Sequence, residues 1–234
     1  MILCLETSTS VCSVALVSTL GLVALRESEE GKSHASLLTV FVEDILSATG
    51  TEAKDLDAIA VSKGPGSYTG LRIGVSVAKG IAYAVSVPLI GIETTLSMFH
   101  GIDEKIRIKY DAGNDSLFVP MIDARRMEVY YSVFDSSGNR IREVAPEIIT
   151  ADHFKEIPEK TKIFVFGDGA LKCKPLLKRK NICFIDEFKM TASNMYIPAN
   201  RAFNDKQFED IAYFEPFYFK DFIATSPGKK ISGK

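Results

Sequence analysis

The sequence predicts an α/β protein with two related lobes. Residues 1–28 contain three short strand patterns separated by turn residues, which is typical of an antiparallel meander. Strand and helix patterns then alternate along the chain, as they do in α/β folds. The strand-then-helix order recurs in the second half, so we expect the second lobe to be related to the first.

The first half of the chain contains short predicted strands and helices that are separated by turn and capping residues. We predict strands at 2–5, 11–17, 22–26, 56–61 and 88–92. Ser33 is the predicted N-cap of a helix that runs to about Thr49, with Gly50 just past its end. After the turn at 64–67, Ser67 or Thr69 caps a second helix that runs to about Val85. A short helix is predicted at 94–100.

The boundary between the lobes is predicted at residues 103–116, which are charged and have no clear period. This gives an N-terminal lobe at 1–103, a C-terminal lobe at 104–224 and a disordered tail at 225–234. In the second lobe we predict strands at 117–122, 127–135, 140–144, 163–166 and 182–185. The segment 136–139 is a predicted hairpin turn, residues 167–169 lead into a helix, and 193–204 is weakly helical.

Composition and charge indicate a cytoplasmic globular protein. The net charge of −2 argues against a strong sequence-independent grip on nucleic acid. The basic cluster at 172–180 fits a solvated helix end, and direct contact with a nucleic acid is the alternative. The four cysteines lack CxxC spacing and read as free thiols. MILCLE reads as a strand rather than a signal peptide, and no apolar run is long enough to span a membrane.

A glycine-rich turn is the most distinctive motif. KGPGSYTGLRIG lies between a predicted strand and a predicted helix, where free backbone N–H groups could hold an anion beside Gly64, Gly66 and Ser67. No Gly-Lys-Ser/Thr follows, so the motif is not a P-loop, and its third glycine falls one place late for a dinucleotide fingerprint. A purely structural turn is the alternative.

The second helix carries small residues four apart, at Gly70, Gly74, Ala78 and Ala82. Such a ridge allows close approach of another element. Apolar side chains accompany it and also form a stripe on the preceding helix: Leu71, Val75, Leu37, Leu38, Phe41 and Ile45. The two helices together have more apolar surface than one sheet can cover. A partner interface and an ordinary core both remain open at this point.

The sequence does not indicate a catalytic or metal centre. The histidines His34, His100 and His153 are far apart, and no HxxxH or HExxH pair exists. Glu6 and Asp123 each close a strand, where a carboxylate could act as a base or bind a metal, or could simply make local hydrogen bonds. We therefore expect no resident metal, no cofactor and no catalytic residues.

Five segments resemble the TsaB (YeaZ) family. They are GPGSYTGLRIG, IDARRMEVYYSVF, ILCLETSTSVCSVAL, KSHASLL and EPFYFKDF, and together they reach from the first strand to near the C-terminus. The resemblance implies two ribonuclease-H-like lobes of the actin, sugar-kinase and heat-shock-ATPase superfamily. It also implies a role in forming threonylcarbamoyladenosine on tRNA.

The resemblance further implies a non-catalytic scaffold. Such a subunit pairs with its paralogue TsaD through the N-terminal helices, which raises the interface interpretation above the core interpretation. TsaE joins that pair, tRNA is met indirectly through the complex, and the isolated chain is expected to form a homodimer. The HxxxH pair of TsaD-like catalysts is missing here. Kinase-like members carry an aspartate where this chain has Glu6, while Ser8, Thr9 and Ser10 could form a vestigial phosphate loop.

Two other functions stay open from the sequence. An ATP-dependent phosphotransferase or ATPase of the same fold is motivated by the Ser8 turn and the glycine-rich turn. A peptidase is weaker, because no nucleophile–base constellation is visible.

Overall fold

The computed structural model describes residues 1–29 and 34–219. The elements of the first sheet and its connections are β1 (Ile2–Glu6), β2 (Cys12–Ser18), β3 (Gly21–Ser28), α1 (His34–Thr49), β4 (Ala58–Gly64), α2 (Tyr68–Val85) and β5 (Leu89–Glu93). The remaining elements are α3 (Thr94–His100), α4 (Glu104–Lys109), β6 (Leu117–Asp123), β7 (Glu128–Asp135), β8 (Arg140–Ile148), β9 (Ile163–Phe166), α5 (Ala170–Cys173), β10 (Ile182–Ile185) and α6 (Tyr196–Asn204). Short 3-10 turns occupy Ala53–Asp55 and Ala192–Met195.

The first sheet has the strand order β3-β2-β1-β4-β5. β1 pairs with β2 and β2 with β3 in antiparallel register, which confirms the predicted opening meander. β4 runs parallel to both β1 and β5. All five residues of β1 are buried, because helices cover this sheet on both faces.

The second sheet repeats this arrangement. Its order is β10-β9-β6-β7-β8, in which β6, β7 and β8 form an antiparallel meander. β9 is parallel to β6 and to β10, as β4 is to β1 and β5 in the first sheet. The two sheets therefore have the same topology, and the prediction of two related lobes is confirmed.

Helices cover the first sheet from two sides. α1 and α2 pack on the face formed by Leu3, Leu5 and neighbouring side chains. The 3-10 turn at Ala192–Met195 and α6 pack on the opposite face, against residues such as Cys4 and Ile90. The chain thus returns from the second sheet to the first. The division into lobes at 1–103 and 104–224 stays a prediction.

The last described residues, 209–219, form a segment that we call the C-terminal strap. Glu209 N donates to Leu89 O at 2.8 Å, and Phe217 N donates to Lys63 O at 2.6 Å. Between these two points Phe214 inserts into the core beneath α2. The strap therefore fastens the end of the chain to β4 and β5.

Most predicted boundaries match the structure within a few residues, but one segment differs. No helix or strand was predicted within residues 103–116, whereas they contain α4. The Asp103 side chain accepts a hydrogen bond from Ile106 N at 2.8 Å and so caps this helix. The predicted cap Ser33 and the predicted tail at 225–234 lie outside the described residues. Of the described helices, none is both long and apolar enough to cross a bilayer.

Candidate functional site

The glycine-rich turn packs directly on the loop that follows β1. Ser67 N donates to Ser8 O at 2.6 Å, and a side chain at Gly66 would overlap that same carbonyl. Ser67 also caps α2, as predicted, because its Oγ accepts from Gly70 N at 3.2 Å. The structure therefore brings Ser8, Gly66 and Ser67 together.

These contacts favour the structural interpretation of the turn. The amide groups of Ser67 and Gly70 already have protein acceptors, so they are not available to an anion in this conformation. Gly64 lies below the strap, where a side chain would come within 2.7 Å of Phe217 O. Thr9 is buried and Ser10 is exposed. Anion binding by this group stays a prediction.

Glu6 is fully buried at the end of β1. Its Oε1 accepts from Ser8 N at 2.6 Å and from Ser62 Oγ at 3.0 Å, while Oε2 has no hydrogen-bond partner among the described residues. Burial raises the pKa of the Glu6 carboxyl to about 7, although these hydrogen bonds act in the opposite direction. Such a carboxyl is partly protonated near neutral pH and has no access to solvent. This position suits a structural polar residue better than an exposed metal ligand.

The small-residue ridge of α2 faces the interior. A side chain at Gly70 would overlap Thr7 O, and one at Gly74 would overlap Thr7 Oγ1. Thr7 Oγ1 in turn donates to Gly70 O at 2.8 Å. The ridge thus lets α2 lie against the end of β1, and Ala78 within it is fully buried. A charged side chain at Ala78 would disrupt this core, so that position cannot probe an interface.

The nine residues predicted for the interface mostly belong to the same core. Seven are buried: Leu38, Ile45, Leu71, Gly74, Val75, Ala78 and Ala82. Leu37 and Phe41 are partly buried and pack against the same cluster. The apolar stripe is therefore explained by packing within the chain, the alternative that the sequence left open. The seven buried side chains could meet a partner only if the core rearranged, whereas Leu37 and Phe41 keep some exposed surface, and their contact with a partner stays a prediction.

The outer face of α2 carries a second small-residue series, which was not predicted from the sequence. Ser76, Gly80 and Ala84 are four apart and all exposed. A side chain at Gly80 would have no atom within 4 Å. Beside this series, Ile73 and Val77 are partly exposed. The spacing of four was visible in the sequence, but spacing alone does not show which of two such series points inward.

An apolar groove lies next to this face. Its volume is roughly 720 Å³, and its walls come from α1, from residues 50–53 that follow it and from Ile81 of α2. Val42 and Leu46 supply apolar surface, and Glu43 lies at the edge. The helix pair therefore offers both a smooth ridge and a neighbouring depression.

The other residues considered from the sequence make local contacts. Asp123 Oδ1 accepts from Arg125 N at 2.7 Å and pairs with Lys172. His34 contacts Val11 O through Nε2 at 3.2 Å, and His153 contacts Tyr131. Within residues 1–29 and 34–219, no group of three or more His, Cys, Asp or Glu side chains could hold a metal ion.

The basic cluster at 172–180 is largely occupied by intramolecular contacts. Lys174 Nζ lies 2.7 Å from Asp186 Oδ2, and Arg179 donates to Phe154 O and Ile157 O. The four cysteines are free thiols, as predicted, and all but Cys183 are buried.

Comparison with known proteins identifies the family. The family model TsaD, described as tRNA N6-adenosine threonylcarbamoyltransferase, matches residues 28–223. An Escherichia coli protein named tRNA threonylcarbamoyladenosine biosynthesis protein TsaB is 29% identical across 100% of this chain and 99% of its own length. A Bacillus subtilis protein of the same name is 29% identical across 70% of this chain and 69% of its own.

A solved structure supports the fold independently. YeaZ from Pseudomonas aeruginosa superposes with a TM-score of 0.76 at 21% identity, covering 93% of this chain and 98% of that one. The architecture is accordingly the predicted pair of ribonuclease-H-like, actin-like lobes. The chain belongs to the family that the TsaD model describes, and its relatives place it among the TsaB (YeaZ) proteins.

Proposed function

We propose that this protein acts in the biosynthesis of threonylcarbamoyladenosine on tRNA, as a non-catalytic subunit that binds TsaD through the outer face of α1 and α2. Its relatives from Escherichia coli and Bacillus subtilis are named for that biosynthesis. The likeness to the Escherichia coli protein extends over the whole chain. The geometry of the two helices supports the choice of partner and contact surface.

Gly80 is the observation that carries the proposal. A glycine inside an exposed helix costs about 1 kcal/mol of stability relative to alanine. The fold of the isolated chain does not require it, because the space around a side chain there is empty. A partner helix that approaches the backbone closely does require it. Ser76 and Ala84 extend the same smooth line.

The surroundings of Gly80 supply apolar area for such a contact. Ile73 and Val77 border the ridge, and Val40 of α1 is 46% exposed. The groove at Leu46 and Ile81 could receive a protruding side chain. This surface replaces the buried stripe that the sequence suggested, while the partner and the two helices involved remain the same.

The proposal that the subunit is non-catalytic rests on the glycine-rich turn and on Glu6. In the glycine-rich turn, the amide N–H groups of Ser67 and Gly70 already donate hydrogen bonds to acceptors within the protein. Glu6 is buried below it, out of reach of a nucleotide. For the same reasons an ATP-dependent phosphotransferase or ATPase has less support. A calorimetric titration with ATP and Mg²⁺ tests that alternative, since micromolar binding with turnover would favour it.

The wider assembly follows from the same proposal. TsaE would join the complex of this chain with TsaD, and tRNA would be reached indirectly through that complex. In the absence of TsaD, the outer face of α2 would pair with a second copy of itself and give a homodimer. A cytoplasmic location accompanies this role.

The experiment combines this protein with TsaD from the same source, followed by size exclusion with light scattering. We expect a stable heterodimer, and tRNA modification by the full enzyme set that stops when this chain is omitted. Gly80→Arg should abolish the complex while leaving thermal unfolding unchanged or improved, because the side chain points into open space. Leu20→Arg is the matched control, since Leu20 is 96% exposed in a distant turn.

Two results would contradict the proposal. If Gly80→Arg binds TsaD as well as the wild type does, the interface lies elsewhere. If modification proceeds at the full rate without this chain, the scaffold role is wrong.

A further inference from the structure

A polar cavity of roughly 390 Å³ lies beside the edge strand β5, away from the outer face of α2. α3, α6, the start of β8 and the start of the strap meet around it. Its volume falls within the range of small-molecule sites. Ile92, Leu96 and Pro198 give it one apolar wall.

Three cations and two carboxylates line this cavity. Arg140 is paired with Glu93 at 2.6 Å, and both side chains are less than one-fifth exposed. Lys63 Nζ lies 3.2 Å from Glu209 Oε1. This pair passes over Gly91, where a Cβ atom would come within 2.6 Å of the Glu209 oxygen. Arg140 also reaches Glu143, at 3.2 Å.

The third cation, Arg201, has no acidic partner among the described residues. It stands exposed on α6 at the mouth of the cavity. Both carboxylates of the lining are paired with other cations, so Arg201 is left without a paired carboxylate there. An arginine presents five N–H donors, so Arg201 can make two parallel hydrogen bonds to a carboxylate or a phosphate.

His100, the last residue of α3, also lines the cavity and is affected by the positive charge of Arg201. Its ring contacts the ring of Phe99, with centroids 5.2 Å apart, and has no hydrogen-bond partner among the residues described. Burial, together with the positive charges of Arg201 and Arg107, lowers the pKa of His100 to about 4. The imidazole is therefore neutral at physiological pH, and one ring N–H is a free donor beside Arg201.

We propose that this cavity is a binding site for a small organic anion, held by Arg201 and His100 at its charged end and by Ile92, Leu96 and Pro198 along its carbon part. The shared chemistry is that of a carboxylate or a phosphate monoester. The guanidinium of Arg201 supplies the charge and the neutral imidazole of His100 supplies a further N–H. Binding here is independent of the contact with TsaD, because α2 does not line the cavity.

The test follows the histidine ring signals by NMR during titration with benzoate, with phenyl phosphate and with uncharged benzamide. His100→Asn assigns the His100 signal among the three histidines. We expect both anions, and not benzamide, to shift the His100 signal and to raise its pKa, because a bound anion offsets the repulsion from Arg201. The anion that binds with the higher affinity, benzoate or phenyl phosphate, identifies the preferred head group.

Variants locate the site. Arg201→Gln should weaken anion binding by about tenfold or more, since it removes a charged hydrogen-bond donor, and Arg201→Lys should retain part of the affinity. Arg126→Gln is the matched control at an exposed arginine outside the cavity. Three results would overturn the proposal: no shift of His100 at about 10 mM anion, an affinity expected of very weak ligands; equal shifts with benzamide; or unchanged binding by Arg201→Gln.

Discussion

Glu6 provides a direct test of the polar core at the end of β1. Its carboxyl group is fully buried, and its pKa is raised from an ordinary value of 4.5 to about 7, chiefly by burial. Glutamine at this position keeps an oxygen that can accept from Ser8 N and Ser62 Oγ, but it carries no charge at any pH. Glu6→Gln therefore isolates the cost of ionising the buried group.

The magnitude follows from the two pKa values. Because the pKa is raised on folding, the contribution of Glu6 to stability is fully present below pH 4.5 and is lost as the pH rises through 7. Moving a pKa from 4.5 to about 7 corresponds to roughly 3 kcal/mol. The wild type should thus lose about 3 kcal/mol relative to Glu6→Gln between pH 4.5 and pH 8.5.

The assay is urea unfolding of both proteins at half-unit steps from pH 5 to pH 8.5. We expect the difference in the free energy of unfolding to grow with pH and to level off above pH 8. Glu159→Gln, at an exposed carboxylate, should show no such trend. A difference that stays constant with pH would refute the reasoning, since it would mean that Glu6 ionises as readily in the folded chain as in the unfolded one.

Two glycines of α2 should respond to alanine in opposite ways. Gly70→Ala should destabilise the protein by about 1–3 kcal/mol, because its new methyl group overlaps Thr7 O. Gly80→Ala should stabilise it by up to about 1 kcal/mol, because the space there is open, and thermal unfolding of both variants checks the two signs. In the native protein, Cys183 should react with a thiol reagent before the other three cysteines, which are buried, and mass spectrometry of the labelled protein would show otherwise if they react together. Asp103→Ala should cost about 1 kcal/mol by removing the cap of α4, and unchanged hydrogen exchange in that helix would contradict this.

Local sequence signals predicted the strands and turns well. The opening meander follows from short β-rich runs that are interrupted by turn residues, and Gly50 ends α1 with a φ of +64°. Ser67 was one of the two predicted caps, with Thr69 as the other, because Ser and Thr are favoured before the first helical turn. These features depend on a few neighbouring residues, so one sequence is sufficient to find them.

The orientation of α2 could not be predicted in the same way. Gly70, Gly74, Ala78 and Ala82 form one small-residue line, and Ser76, Gly80 and Ala84 form another. Both have a spacing of four, and only the position of Thr7 in space decides which line is buried. The apolar stripe of α1 was ambiguous for the same reason, because the sheet beneath it is assembled from distant segments.

α4 was missed because a helix of six residues carries too little periodicity to stand out from a charged loop. The cavity at Arg201 and His100 was also not foreseen. Its walls come from positions as far apart as Lys63 and Glu209, and no local pattern brings them together.

The strap gives the first sheet an unusual order of completion during synthesis. Phe214 belongs to the core that Leu3 and Leu5 begin, yet about 120 residues separate it from the end of β5. At roughly 5–20 residues per second, the ribosome needs on the order of ten seconds to supply that interval. During this interval, the part of the first sheet's core that Phe214 later fills is not yet covered by it. The emerging chain is therefore most open to chaperones, and to premature pairing with other chains, while its second sheet is being translated.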